Sequence, residues 1–203
     1  MELDHVFCMV DPAGDWARIL TSAGLALDQG NRHPGQGTRN RRVPLESLYL
    51  ELLWVCDRPE AAGNALRLDR RADWARTGAS PFGVGLRGRV PEHLRDDYWL
   101  YSALGFPLWV HRDNENAPER PMVFVLDLPS RRDSALAIDA ARPSTGQVRS
   151  IHLRTASAAS IPPYTGPPVV RTTAPDHMDL VLENGPDLAI SEILALRPPA
   201  RSI

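Results

Sequence analysis

The octet His33-Pro-Gly-Gln-Gly-Thr-Arg-Asn40 and the apolar run that follows it constrain this chain more than any other stretch. Two glycines and a proline make the octet turn-forming. Behind it, Leu48–Cys56 alternates with a period of two, as a strand with two different faces must. Leu48, Leu50, Leu52, Trp54 and Cys56 share one face, and Tyr49, Glu51, Leu53 and Val55 share the other. The first set is apolar and belongs under a helix. The second carries a carboxylate, and a carboxylate buried without a partner is expensive. Glu51 must therefore face a cavity, a metal, an arginine or water.

The residues before the octet supply the rest of a unit. Leu3–Val10 reads as a strand, with Leu3, His5, Phe7 and Met9 on one face and Val6, Cys8 and Val10 on the other. Asp11-Pro12 suits a helix start, with Asp as N-cap and Pro in the first helical position. Trp16, Ile19, Leu20 and Ala23 form a helical stripe, and Gly24 suits a left-handed stop. Leu25–Leu27 begins a second strand, the octet turns, and a third strand lies around Arg41–Leu45. The order is βαβββ. If the first and fourth strands are neighbours, His5 and Glu51 converge, and Cys8 and Cys56 lie together on the other face as reduced, packed thiols.

Composition excludes several function classes. A net charge of −2 and a pI near 6.3 create no field for nucleic acid or anionic lipid. No apolar run reaches the ~20 residues of a membrane span, and Met1-Glu-Leu-Asp-His5 has no signal-peptide character. A soluble, cytoplasmic protein is the expectation. The two cysteines lack CxxC spacing, and no nucleophile elbow, dinucleotide fingerprint or zinc-finger spacing is present.

The βαβββ order, with Leu3-Asp-His5 opening it, the octet, and Tyr49-Leu-Glu-Leu-Leu53 closing it, resembles the glyoxalase-like branch of the vicinal oxygen chelate superfamily. Gly78-Ala-Ser-Pro-Phe-Gly-Val-Gly85 is also similar to a segment of that branch. The resemblance covers residues 1–57, with patches near 78–88 and 121–128. It implies an α+β fold in which two βαβββ-type modules form a cupped mixed β-sheet with helices outside. It also implies a divalent metal (zinc, nickel, manganese or iron) held by two residues from each module. His5 and Glu51 match the first pair. His152, in the strand-like run Val148–Leu153, is the candidate third ligand, while Phe82–Leu86 has glycines where a ligand would stand. Superfamily members are often dimers, so a homodimer is expected.

Along the chain this gives a first module at 1–57, a connector at 58–79 with a short helix over Ala61–Asp69, an enlarged second half at 80–197, and a tail at 198–203. Strands are expected at Phe82–Arg89, Pro107–His111, Met122–Leu128, Val148–Thr155, Val169–Thr172, Met178–Leu182 and Leu188–Leu194, with a turn at Gly185-Pro186. Asp97-Tyr-Trp-Leu-Tyr101 is either a pocket wall or an ordinary amphipathic helix.

Two function classes fit. In the first, a metal enzyme (lyase, isomerase or ring-cleaving dioxygenase) uses His5, Glu51 and His152 as ligands, with Glu51 and His5 as its catalytic groups. In the second, a metal-free protein sequesters a small organic molecule, as resistance proteins of the superfamily do. Ligand-binding candidates are His33, Thr38, Asn40, Tyr49, Trp99, Tyr101 and Trp109. The octet residues would supply hydrogen bonds, and the aromatic rings stacking surface. For the octet, a plain turn is the competing reading.

Overall fold

The computed structural model describes residues 1–102, 105–130, 146–155, 157, 160–173, 176–183 and 187–193. Its first module is β1 (Glu2–Met9), α1 (Trp16–Ser22), β2 (Arg32–His33), β3 (Thr38–Pro44) and β4 (Tyr49–Val55). A connector with α2 (Arg58–Gly63), α3 (Leu68–Ala72) and α4 (Trp74–Thr77) leads to β5 (Phe82–Arg87). A 3-10 helix (Glu92–Asp97) then precedes β6 (Tyr98–Tyr101), β7 (Leu108–His111), α5 (Asp113–Asn116) and β8 (Met122–Leu126). The eight strands form one mixed, curled sheet in the order β2-β3-β4-β1-β5-β8-β7-β6. The order is the same read from either edge inward, β2-β3-β4-β1 and β6-β7-β8-β5, and β1 pairs in parallel with β4 as β5 does with β8. The two halves join through the antiparallel pair β1–β5. In the second half the short 3-10 helix stands where α1 stands in the first.

Beyond residue 147 the chain builds a separate sheet. It comprises β9 (Val148–Thr155), β10 (Val169–Thr173), β11 (His177–Leu182) and β12 (Leu188–Ala189), ordered β10-β9-β11-β12, and is followed by α6 (Ile190–Ile193). Of the expected strand at Leu188–Leu194, Leu188–Ala189 is strand and Ile190–Ile193 a helical turn, and Leu194 lies outside the described residues. The turn at Gly185-Pro186, most of the segment 129–146 and the tail at 198–203 lie outside the described residues.

Each face of the large sheet has its own core. Behind it, Val6, Cys8, Leu50 and Leu52 pack with Trp16 and Leu20 of α1 and with Ile151, Leu153, Met178 and Leu180 of the small sheet. In front, Phe7, Met9 and Leu53 pack with Leu108, Met122 and Phe124. Leu66 and Leu68 of the connector close over this side. The two-face reading of β1 and β4 therefore describes the sheet, with one exception. Leu3 packs behind, not with His5. Between Leu3 and His5 the β1–β5 register shifts, leaving Asp4 as an extra residue, and such a bulge reverses the facing of everything before it.

Local signals moved three boundaries. The helix expected from Asp11 begins at Trp16, because Asp11-Pro-Ala-Gly14 closes a turn through Gly14 N–H to Asp11 O and Ala13 N–H to the Asp11 carboxylate. Its end holds as read: Gly24 has φ 81°, and Leu25 N–H and Gly24 N–H reach Leu20 O and Thr21 O. Leu25–Leu27 is not a strand. The helix expected at Ala61–Asp69 breaks at Asn64–Arg67, where Arg67 takes φ 50°, giving α2 and α3. Cys8 is buried and Cys56 is exposed, so only one of the two thiols is packed. No described helix is long and apolar enough to cross a membrane.

Candidate functional site

The front face of the curled sheet holds a cavity of about 540 Å³. Its polar wall comes from the first module: His5 on β1, His33 on β2, Asn40 and Arg42 on β3, Tyr49 and Glu51 on β4. Its apolar wall is Phe7 and Leu53 with Leu108, Met122, Phe124 and Leu126 of the second half, and the connector adds Leu66 and Leu68.

Pairing of β1 with β4 sets His5 beside Tyr49 and Phe7 beside Glu51. His5 Nε2 lies 3.4 Å from Glu51 Oε2, so the two residues converge as their strand faces imply. The imidazole stacks on Tyr49 with ring centres 4.5 Å apart and meets Phe124 edge-on at 5.2 Å. Its other nitrogen, Nδ1, is 2.8 Å from Asp4 Oδ1, and Arg87 Nε donates to Asp4 Oδ2 at 2.7 Å. Neighbouring residues on a regular strand face opposite ways; the bulge at Asp4 is what lets its carboxylate reach His5. Asn40 completes the array: its amide nitrogen donates to Glu51 Oε1, while its oxygen accepts the Asn31 N–H at 2.7 Å. Charges thus alternate along Arg87, Asp4, His5 and Glu51.

Burial opposes charge on both central groups, and their partners overrule it. Burial pulls the His5 pKa down, but the bonds to Asp4 and Glu51 carry it up to about 9. Burial pushes Glu51 up, but His5, then Asn40 and His33, hold its carboxyl below the usual range. Near neutral pH His5 is an imidazolium donating to two carboxylates. His33 behaves differently: burial lowers its pKa, against the pull of Glu51.

The octet is held by its surroundings. Gly37 has φ 68°, and a Cβ there would lie 2.3 Å from Asp57 O and 2.5 Å from Ala61 N, so only glycine lets α2 pack against the turn. Gly37 O accepts the N–H groups of Cys56 and Asp57, and Asp57 caps α2 through the Glu60 N–H. Asn64 bridges Gly35 O and the Tyr101 hydroxyl. The octet is therefore both a turn and a wall of the cavity.

Among the candidate residues, the structure brings His5, His33, Asn40, Tyr49 and Glu51 to one cavity. Thr38 is fully buried behind it, bonded to Gln36 and 3.0 Å from His33 Nδ1, where it orients that ring. Tyr101 and Trp99 pack at the border of the front core and do not line the cavity. Trp109 sits against the rear core beneath Arg95, one residue off the front-facing Leu108 and Val110. His152 belongs to β9 of the small sheet, bonded to Ser150, with its neighbours Ile151 and Leu153 in the rear core. It stands in a different layer from His5 and Glu51. Sequence reasoning missed Asp4, Arg87 and Arg42. For Asp4 a signal existed, an acid directly beside the histidine, but nothing local marked the bulge.

These donors do not suit a tightly held divalent metal, which needs three or four ligands. Across from His5, the second half presents Gly83 and Gly85 on β5 and Met122 and Phe124 on β8. A Cβ at Gly85 would lie 2.7 Å from His5 Cε1 and 2.8 Å from Phe124 Cζ, so these rings fill the space a facing ligand would use. Among the described residues no group of three His, Cys, Asp or Glu side chains is placed to share an ion.

Residues 3–97 match the glyoxalase-like domain family. No curated protein matches the sequence. Similar solved structures include methylmalonyl-CoA epimerase from Mycobacterium tuberculosis, at 15% identity and TM-score 0.41, covering 64% of this chain and 90% of that one. A hypothetical protein from Staphylococcus aureus is similar at 13% identity and TM-score 0.45, covering 90% of this chain and 82% of that one. A hypothetical protein from Bacillus halodurans is similar at 11% identity and TM-score 0.44, covering 64% and 95%.

Proposed function

We propose that this protein, whose residues 3–97 match the glyoxalase-like domain family, binds a small organic molecule in the front cavity without a metal. The observation that carries this reading is the asymmetry of the cavity: all its ionisable groups stand on the first module, and the facing wall of β5 and β8 is glycine and apolar side chains. A cavity of this size, mostly apolar with a few converging polar groups, is the usual form of a small-molecule site. Apolar area supplies affinity, and the Glu51–Asn40–His5 array fixes orientation.

Catalysis is less favoured by the same array. A general base works best with a pKa near the working pH, whereas His5 and Asn40 hold Glu51 in its carboxylate form. It serves as a hydrogen-bond acceptor before it serves as a base. The metal-dependent lyase, isomerase or dioxygenase reading has no second pair of ligands among the described residues. The homodimer implied by the family resemblance belongs to the same proposal and is read by analytical ultracentrifugation.

The test is metal content and metal titration of the protein purified without a histidine tag, repeated on His5→Ala and Glu51→Ala. The expected result is no stoichiometric zinc, nickel, manganese or iron before or after loading, with ligand binding unaffected by chelator. Near-stoichiometric metal that both substitutions abolish would overturn the proposal and restore the metalloenzyme reading.

A further inference from the structure

We propose that the ligand of this cavity is a neutral hydroxyl compound with an apolar body, its O–H donated to His33 Nε2 and its body lying along Leu66, Leu68, Phe106 and Leu126. The inference rests on the cavity being a small-molecule site and adds the chemical class of what enters it.

The direction of the hydrogen bonds around His33 follows from one side-chain carbonyl. β2 pairs with β3 so that His33 stands opposite Thr38, on the face that also carries Asn40 and Arg42. The buried Thr38 hydroxyl donates to Gln36 Oε1 at 3.2 Å. A hydroxyl has one proton to give. Toward His33 Nδ1, 3.0 Å away, the same oxygen therefore accepts, and Nδ1 carries the ring proton. Burial lowers the His33 pKa, so near neutral pH the ring holds that proton alone. Nε2 is then a bare lone pair. It stands at the end of the ring farther from the backbone, and the half-buried ring lines the cavity. No described residue donates to it. The neighbouring polar groups are already engaged: His5 uses both ring nitrogens on Asp4 and Glu51, Asn40 is tied to Glu51 and Asn31, and Arg42 to Asp28.

Charge then decides between ligand classes, and His33 is its own probe of it. Burial, His5 and Arg42 disfavour a positive charge on this ring more than Glu51 favours one. An ammonium group beside the ring meets the same opposition. An anion there meets the lone pair of Nε2 and the field of the Glu51 carboxylate, and finds no proton on Nε2. A neutral O–H meets neither obstacle. It gives its proton to Nε2, while its apolar body lies against the side chains of the connector and the second half.

The experiment has two arms. In the first, long-range proton–nitrogen NMR of wild-type protein labelled with nitrogen-15 in histidine reads the His33 tautomer near pH 7, the ring being assigned by its nuclear Overhauser contact to Thr38. A protonated Nδ1 and a bare Nε2 are expected. A proton on Nε2, or a doubly protonated ring, would overturn the inference and leave the cavity reading standing. In the second, isothermal titration calorimetry compares 4-butylphenol, 4-butylanisole and 4-butylbenzoate, and likewise octan-1-ol, 1-methoxyoctane and octanoate. In at least one series the hydroxyl compound is expected to bind about tenfold tighter than its methyl ether and its carboxylate. His33→Phe keeps a flat ring and removes the acceptor, and should bring hydroxyl compound and ether to within about twofold of each other. Thr38→Val lets the ring proton move to Nε2, and should lower the hydroxyl preference about threefold as the Nε2–H tautomer grows in the NMR spectrum. Circular dichroism checks the fold of both variants. An ether that binds as tightly as its hydroxyl compound, a carboxylate that binds tightest, or a hydroxyl preference that survives in folded His33→Phe sinks the inference and not the cavity reading. If no member of either series binds, the small-molecule reading fails and takes this inference with it.

Discussion

The two halves of the large sheet share a strand order but divide the work between them. In the first module the cavity-facing positions of β1, β3 and β4 are the polar or charged His5, Asn40, Arg42, Tyr49 and Glu51, with Phe7 and Leu53 between them. In the second, the matching strands offer Leu108, Met122, Phe124 and Leu126, while Gly83 and Gly85 of β5 lie under the rings of Phe7 and His5. One half therefore carries charge and hydrogen bonds, and the other carries shape. The glycines belong to the shape half for a reason: a Cβ at Gly83 would lie 2.0 Å from Phe7 Cε1, and one at Gly85 would meet His5. Side chains were given up on β5 so that rings from β1 could fill the cup. The lesson is that a duplicated topology need not keep duplicated chemistry. Polar groups are costly to bury and persist where partners answer them: His5 and Glu51 answer each other, with Asn40, Asp4 and, through Asp4, Arg87 of β5 beside them.

This division can be broken from either side. The largest effect is expected for Glu51→Ala, which strands the buried His5 charge with Asp4 alone. Loss of one member of a buried pair should cost about 3 kcal/mol of unfolding free energy at pH 7, read by urea denaturation. A cost under about 1 kcal/mol would mean the pair is solvated and the polar wall is not a buried array. Next is Gly83→Val, which pushes two methyl groups into the Phe7 ring in a packed core. Overpacking of this kind should cost about 2–3 kcal/mol, and a neutral result would show that the second half is not shaped around Phe7.

The pH profile comes third. His5 has a raised pKa, so its contribution is complete below about 6.5 and is lost as pH rises through about 9. Glu51 has a lowered pKa, so its contribution is complete above about 4.5 and is lost as pH falls through the lower folded value. Stability should be flat from about pH 5 to 7 and then drop by about 2 kcal/mol by pH 10. In Glu51→Gln the His5 pKa should fall toward the ordinary imidazole range, which proton-detected titration of the His5 ring would follow. A wild-type alkaline limb that persists unchanged in this variant would assign the drop to other groups. The smallest stability effect is expected for Arg32→Gln, within about 0.5 kcal/mol, since its side chain is exposed and unpaired among the described residues. A larger loss would mean that Arg32 supports the fold.

Much of the first module was legible because its signals are short-range. The alternation of Leu48–Cys56 and of Val6–Val10 assigns faces directly, and the Gly24 stop and the octet turn follow from backbone sterics. The approach of His5 to Glu51 needed one further step, that the first and fourth strands are neighbours, and the βαβββ order supplies it. The helix start at Asp11 misled because Gly14 allows a tight turn that competes for the same Asp side chain. Trp109 misled because one residue along a strand changes the face. His152 misled because an apolar strand pattern does not say which sheet the strand joins.

By itself the sequence determined the α+β class, the facing of β1 and β4, and the pairing of a histidine with a carboxylate in the first module. These depend on periodicity and on local turn chemistry. The tertiary structure decided that Asp4 reaches His5, because a bulge is defined only against the partner strand. It decided that Arg42 enters the cavity and that Trp109 does not. It also decided that the wall facing His5 is glycine and phenylalanine, because a ligand set spread over four strands exists only when those strands are brought side by side.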